Sequence, residues 1–473
     1  MTTAPVTLPR SLPGSARVRA LFEVDALPIA VIAGCCGLLA FALPALLVQD
    51  SWLALVDGRL VAASWLPHVD TLTYWTLGRP WVDQQWGAQL VLYELAEHLG
   101  LRAAALFGVG CVIAALAATA VAARRLGASP RSTAIGLLLP LVCAPWLAQV
   151  RTQSLALLPF VLVFALVALD SRRPGRRVYL VLPLLVVWAN LHGSVALAAI
   201  LVALYGVVRR RWLLVAAPLC LLASPYGLGL VGYYRMMLFD PPLASFVGEW
   251  RPPGLAGITV PFFISVAVIA VLFVRHRGVL TFFERWALPL LLLAALHAVR
   301  NVIWFELGAA IALPRLLDAA WPARPLTADV RRVNLVVAPA AIVLVLAFAA
   351  VHRPALDPDA GAAAVVASAA GAHGIVLADD THADWLLWEA PSLTGRIAYD
   401  VRFELFDTNE LTQLKALHDG SARAWQDCGS VARVITFATP AARRRVHGAA
   451  RPIVALPRFS AVRQAPRRGS CTL

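Results

Sequence analysis

Where long apolar stretches break in this sequence, acids, guanidinium groups and aromatic rings appear. Asp50 stands where the first apolar stretch ends, in 49-QDSW-52. A carboxylate at a membrane edge can serve as a general base, taking the proton of an attacking hydroxyl. It can equally flank one helix or cap the next. Asp70 and Asp83 offer the same chemistry in 66-LPHVDTLTYWTLGRPWVDQQW-86, a stretch that also holds Arg79, Trp81 and Gln85. Tryptophans there either anchor the loop at lipid headgroups or present flat faces on which a sugar can stack. Arg151, in 147-LAQVRTQS-154, and Arg300, in 297-HAVRNVIWFE-306, are cations beside apolar spans. An ionisable group at that depth marks a functional site by default, and a guanidinium fits phosphate oxygens as a fork. The competing uses are an internal partner such as Glu306 or Asp50, or snorkelling to headgroups.

Further polar groups cluster at breaks downstream. Asn190 and His192 lie in 188-WANLHGS-194, Tyr226 in 223-ASPYG-227, and Glu249 with Arg251 in 248-GEWRPP-253. Each can line a cavity, and each has a plainer use: satisfying broken backbone, closing a turn, or pairing as ions. Asp379, Asp380, His382 and Asp384 in 378-ADDTHADWLLWEAP-391 match no standard metal spacing and read as turns and caps. Five cysteines (Cys35, Cys36, Cys111, Cys143, Cys220) lie in apolar spans with no CxxC pair. Cys428 and Cys471 would pair only if the tail is outside the cell, and are otherwise free thiols.

The elements that must position these groups follow from composition. The chain has 473 residues, 60% hydrophobic and 14% charged, with a mean hydropathy of +0.73. That excludes an ordinary soluble enzyme and predicts a polytopic α-helical membrane protein. The net charge of +14 does not indicate nucleic acid, because residues 1–351 carry net +12 and residues 352–473 only +2. The excess sits in six short basic loops: the N-terminus, 124–131, 172–177, 209–211, 275–285 and 315–332. Placing all six in the cytoplasm predicts eleven crossings, N-terminus inside and C-terminus outside. The residues before the first span lack a cleavable signal pattern. Between 177 and 209, and again over 286–314, two crossings must be short hairpins with turns recessed into a protein-lined cavity.

Three regions result: a cytoplasmic segment 1–25, a transmembrane region 26–351 with a long first outer loop 49–100, and a small extracytoplasmic α/β domain 352–473. Within the loop, 86–99 patterns as an amphipathic helix on the membrane surface. In the tail, 374-GIVLA-378, 396-RIAYD-400 and 432-ARVITFA-438 read as strands, 408–425 as a helix, and 355–372 as linker or helix. Arg443 to Arg468 read as a solvated surface.

The order of motifs over most of 45–405 resembles a group of uncharacterised bacterial membrane proteins assigned to the GT-C superfamily of polyprenol-dependent glycosyltransferases. The matching features are an Asp ending span one, then PHVDTLTY, GRPWVDQQW, RTQS, WANLHGS, SPYG, EWRPP, HAVRN, ADWLLW and APSLTGRIAYDVRFELF. The resemblance implies a GT-C-like membrane fold in the bacterial plasma membrane, an acidic base in the first outer loop, and a lipid-phosphate sugar as donor. Carried over, Asp50 is the leading base candidate, with Asp70 and Asp83 behind it. Where the superfamily commonly has an acidic pair, this chain has Asp50-Ser51-Trp52. Arg79, Arg151 and Arg300 are the candidate donor-phosphate ligands, and Trp81, Gln85, Asn190, His192, Tyr226, Glu249 and Arg251 the candidate cavity lining. The acceptor would be an envelope glycan, lipid or protein. No residue set specifies a metal, though a divalent cation is compatible with the chemistry. A transporter of lipid-linked glycans and a non-catalytic assembly protein are the alternative classes.

Overall fold

The computed structural model describes residues 14–239, 247–357, 359–419, 432–437, 451–457 and 459–463. It is mainly helical. The helices are α1 (Gly14–Ala42), α2 (Gln49–Ser64), α3 (Trp86–Leu99), α4 (Leu101–Arg125), α5 (Pro130–Cys143), α6 (Thr152–Arg172), α7 (Val181–Ala189), α8 (Val195–Val208) and α9 (Arg211–Leu219). They continue with α10 (Gly229–Phe239), α11 (Val260–His276), α12 (Phe282–His297), α13 (Val302–Ala320) and α14 (Ala328–Val351). The tail holds α15 (Ala360–Ala370), α16 (Ala383–Glu389) and α17 (Thr408–His418). Among the described residues, five helical stretches are long and apolar enough to cross a bilayer: Val18–Leu46, Leu101–Arg125, Thr152–Arg172, Gly257–Val279 and Ala328–Val351. The helices in the other expected spans, α5, α7, α8, α9, α12 and α13, are shorter or less apolar.

The bundle has two chemically distinct ends. α6 has 21 residues, about 30 Å of rise. Arg151, its N-cap, meets Asp50 at one end. Asp170, near the other end, takes Arg210 at 2.9 Å and the Tyr205 hydroxyl at 2.6 Å. The remaining arginine-rich turns gather on that second end. Arg124 pairs with Asp25 at 2.6 Å, Arg315 with Glu284, and Asp318 receives the Ser129 N–H at 2.6 Å. Arg315 is thus a buried residue of α13, not of a loop.

Both expected hairpins turn at the cavity end. Arg210 also reaches Gly175 O at 3.2 Å, so the two feet of the α7–α8 pair stand together on the arginine-rich end. Its turn, 190–194, is covered by residues 84–87 of the expected first outer loop: Gln84 Nε2 donates to Ala189 O at 2.9 Å and Gly87 N–H to Asn190 O at 3.0 Å. Recessed non-helical backbone is tolerable because the protein supplies those bonds. The α12–α13 pair turns at 299–301, where Val299 N–H donates to Arg251 O at 2.9 Å. Its arms begin at 282 and end at 320, longer than the interval 286–314, because the basic flanks continue as helix.

The first outer loop is more ordered than its composition suggests. The expected 86–99 helix is α3, and it packs on α2, a helix where the composition predicts loop. Their contact is close: a Cβ on Gly58 would lie 2.3 Å from Gln89 O. In the tail, the sheet order is β1-β2-β4-β3, with β1 (Val376–Leu377) parallel to β2 (Val434–Phe437). β4 (Ser460–Arg463) is antiparallel to both β2 and β3 (Arg451–Ala455). The expected strand 396–400 is reduced to bridges from Ile397 to Val376 and to Thr73. Cys428 and Cys471 lie outside the described residues, as does the end of the expected 408–425 helix. The described part of 443–468, expected as a solvated surface, instead forms β3 and β4, with Phe459 to Val462 buried.

Tail and first outer loop share one core. Gly395 N–H donates to Leu72 O at 2.8 Å, Tyr74 N–H to Ile397 O at 2.7 Å, and Trp75 N–H to Ala398 O at 3.1 Å. Trp75 stacks on Tyr399, with ring centroids 5.7 Å apart. Arg59 of α2 reaches the carbonyls of Leu387 and Trp388 at 2.6 and 3.2 Å, where a helix end favours a cation.

Glycine substitutions test this packing. A Cβ on Gly87 would lie 2.6 Å from Asn190 O, whereas one on Gly34 meets nothing within 4 Å. Gly87→Ala is expected to destabilise the protein by about 1–3 kcal/mol. Gly34→Ala should leave it unchanged or slightly stabilised, since alanine is the better helix former. Thermal unfolding in detergent compares the two.

Candidate functional site

A cavity of about 810 Å³ opens at the end of the bundle opposite the arginine-rich turns. Its walls come from α2, the segment 81–89, the turn at 192–193, the stretch 247–251, the turn at 299–300 and the tail around 399–404. Of the residues singled out in the sequence, Asp50, Asp83, Trp81, Gln85, Arg151, His192, Glu249, Arg251 and Arg300 line it.

The half nearest the bundle is cationic, centred on Arg151. Its position is set by backbone. Val150 N–H donates to Leu46 O at 2.9 Å, the Ser51 hydroxyl bonds Val150 O, and Val48 N–H donates to Ser51 Oγ at 2.9 Å. These ties bring the start of α2 beside the start of α6. Arg151 is only 5% exposed, and its Nη1 donates to Asp50 Oδ2 and Glu249 Oε1, both at 3.0 Å. Its buried Nε and Nη2 have no hydrogen-bond partner among the described residues. A buried guanidinium with two idle donors is suited to an anion. Asp50 and Glu249 keep 40% and 43% of their side chains exposed. Arg300 lies over the Trp250 ring at 4.1 Å. His192 is buried, and its Nδ1 accepts from the Ser194 N–H at 3.1 Å. The neutral ring therefore carries its proton on Nε2.

The opposite half is acidic. Asp57 lies seven residues after Asp50 on the same face of α2, about 10 Å further along. It accepts from Gln89 Nε2 at 3.1 Å through Oδ2, while Oδ1 has no partner among the described residues. Asp83 accepts the Gln85 N–H at 3.3 Å and leaves Oδ2 unpartnered in the same sense. Burial lifts both carboxyls, Asp83 to about 7 and Asp57 well above the usual range; burial likewise lifts Glu404 to about 7. Facing them is Arg402, which stacks on Trp81 at 4.6 Å and pairs with Asp400 and Asp70 at 2.6 and 2.8 Å.

Four of the candidate catalytic, phosphate-binding and cavity residues are not among the cavity lining. Asp70, read as a candidate base, is fully buried and saturated. It accepts from Leu72 N–H, the Thr73 and Thr76 hydroxyls and Arg402, at 2.9, 2.7, 2.6 and 2.8 Å. Burial alone would raise its pKa, but Arg402 and those donors hold it below the usual value. Arg79, read as a phosphate ligand, instead clamps Glu410 at 2.5 and 2.6 Å and Leu405 O at 2.9 Å, fastening the loop to the tail. Asn190 satisfies broken backbone, donating to Val186 O and Ala223 O and accepting from Trp86 Nε1. Tyr226 donates to Pro67 O at 2.7 Å.

Sequence reasoning missed Asp57, Gln84, Gln89, Tyr233, Arg402 and Glu404, all on the cavity wall. The i, i+7 spacing of Asp50 and Asp57 is the signal that could have found one of them. In the tail motif, Asp379 takes His382 Nδ1 at 2.8 Å, the Thr381 N–H and the Thr436 hydroxyl. Among the described residues no group of three His, Cys, Asp or Glu has the geometry of a metal site.

No family model matches this sequence, and no curated protein matches it. Solved structures do. ArnT from Cupriavidus metallidurans in the apo state superposes with a TM-score of 0.53 at 14% identity, covering 90% of this chain and 95% of that one. The same protein bound to undecaprenyl phosphate gives 0.53 at 15% identity, covering 95% and 98%. The likeness is one of fold, over nearly the whole length of both chains.

The raised carboxyl of Asp83 makes a pH prediction. A group that binds its proton more tightly folded than unfolded lowers stability as pH rises from about 4 through about 7. Asp83→Asn keeps the bond from Gln85 N–H and removes the charge. It should be more stable than wild type at pH 8, by roughly 1–4 kcal/mol, with the difference gone below pH 4. Unfolding in detergent across that range measures it.

Proposed function

We propose that this protein is a membrane glycosyltransferase that moves a sugar from a polyprenyl-phosphate donor to an envelope glycan, lipid or protein acceptor. The observation that carries the reading is the meeting of Asp50 and Arg151 in one cavity, with Arg300 and His192 on the same wall. The fold shared with ArnT, one structure of which is bound to undecaprenyl phosphate, supports a polyprenyl-phosphate ligand. The positive-inside rule puts the arginine-rich end in the cytoplasm, the cavity at the outer face, and the tail outside, with eleven crossings in the plasma membrane.

In this mechanism the donor phosphate takes the idle Nε and Nη2 of Arg151 and the guanidinium of Arg300. Asp50 removes the proton of an acceptor hydroxyl as its oxygen attacks the anomeric carbon. The bond from that carbon to the phosphate oxygen breaks, and its electrons leave on the phosphate. The two guanidinium groups and the His192 Nε2–H stabilise that charge. A single displacement inverts the anomeric configuration. Asp83 and Trp81, on the far wall, face the acceptor.

Asp50→Asn separates this chemistry from transport of a lipid-linked glycan. A transferase should lose about 10²–10⁴-fold in turnover while still binding undecaprenyl phosphate. Unchanged turnover of lipid across the membrane, with no sugar transferred by either protein, would establish transport instead. Arg300→Ala should weaken binding of undecaprenyl phosphate by about tenfold, the loss of one charge-assisted contact.

A further inference from the structure

One carboxylate in the cationic half is idle in the transfer step. Glu249 stands on the short turn Gly248–Trp250 and gives both oxygens to Arg151 Nη1, at 3.0 and 3.3 Å. The next residue, Trp250, lies under Arg300 at 4.1 Å. The turn is tied to the Arg300 segment by the bond from Val299 N–H to Arg251 O, 2.9 Å. One short segment therefore supplies an anion to the first cation of the site and an aromatic face to the second.

The charges explain why. Two guanidinium groups unpaired inside a partly closed cavity would repel each other and carry a large desolvation penalty. Asp50 and Glu249 offset the charges of Arg151 and Arg300. A phosphate on the idle Nε and Nη2 then brings a third anion beside the two carboxylates on Nη1, and like-charge repulsion favours the departure of one. Asp50 sits in the first turn of α2, where the helix dipole favours its charge. Glu249 has no such support. Arg151 is the hydrogen-bond partner its oxygens have among the described residues, and 43% of its side chain is exposed. It can turn toward water cheaply.

We infer that Glu249 is a placeholder for the lipid phosphate: it neutralises the Arg151–Arg300 pair until a polyprenyl phosphate displaces it, and it competes the phosphate off again after transfer. The inference rests on the donor-phosphate reading above. Its consequence is a site that recognises phosphate without holding the product tightly.

The test is binding of undecaprenyl phosphate to the purified full-length protein, comparing wild type with Glu249→Gln and Glu249→Ala. Both substitutions remove the competing charge. A placeholder predicts a Kd lowered by about five- to tenfold in each, the order expected for one like charge removed at close, partly solvated range. It also predicts stronger inhibition of transfer by added undecaprenyl phosphate. A merely structural role would weaken binding, so tightening is diagnostic. Unchanged or weaker binding in both variants, with wild type still binding, overturns the placeholder and leaves the phosphate site standing. No binding by wild type or either variant overturns both readings.

Discussion

The buried guanidinium of Arg151 is the constraint around which the site is built. A charge so fully removed from water persists only if anions meet it with good geometry. Asp50 and Glu249 do so, from segments 101 residues before it and 98 after it. Bringing them together requires that the ends of the first span, the fifth and sixth helices and the 248–251 turn converge at one level. The bonds joining residues 46–51 to 150 achieve part of this through backbone groups and the Ser51 hydroxyl. The cavity therefore follows from how the short helices end. Their recessed turns carry His192 and Arg300 into the same space.

A second buried guanidinium organises the other wall. Arg402 joins Asp400 in the tail to Asp70 in the first outer loop and lays its plane on Trp81. Together with the pairing of residues 72–75 on 395–398, this makes the tail part of the cavity rather than an appended module. The two halves differ in chemistry. Arg151 and Arg300 suit a phosphate, whereas Asp57, Asp83 and Glu404 hold protons near neutral pH because burial disfavours their charge. Such a polarity suits a reaction that receives an anion at one end and a hydroxyl at the other.

Much of the bundle was legible in the sequence because loop arginines and apolar runs obey one-dimensional rules. The two hairpins followed from 31 residues between Arg177 and Arg209, and from the similar interval 286–314, each too short for two full spans and too long for one. Residues at breaks in apolar runs, such as Arg151, His192, Glu249 and Arg300, stood out for the same reason and line the cavity. What stayed hidden depends on long-range contact. Asp70 looked like a base because its partner lies 332 residues away. Arg79 looked like a phosphate ligand until Glu410 was placed against it. Asp57 was concealed because α2 is apolar on several faces and mimics an irregular Trp-rich loop. Strands β3 and β4 gave no alternating signal strong enough to read. For the tail, pairing with the loop decides what a two-residue strand such as β1 can be.

The proposed chemistry depends on Arg151 receiving the phosphate of a lipid beside Asp50. An experimental structure with undecaprenyl phosphate bound tests it most directly. Phosphate oxygens are expected within about 3 Å of Arg151 Nε or Nη2, the reach of a charge-assisted hydrogen bond, with the isoprenoid chain running out between helices. A phosphate bound at the arginine-rich end, or in the cavity but away from Arg151, would contradict it.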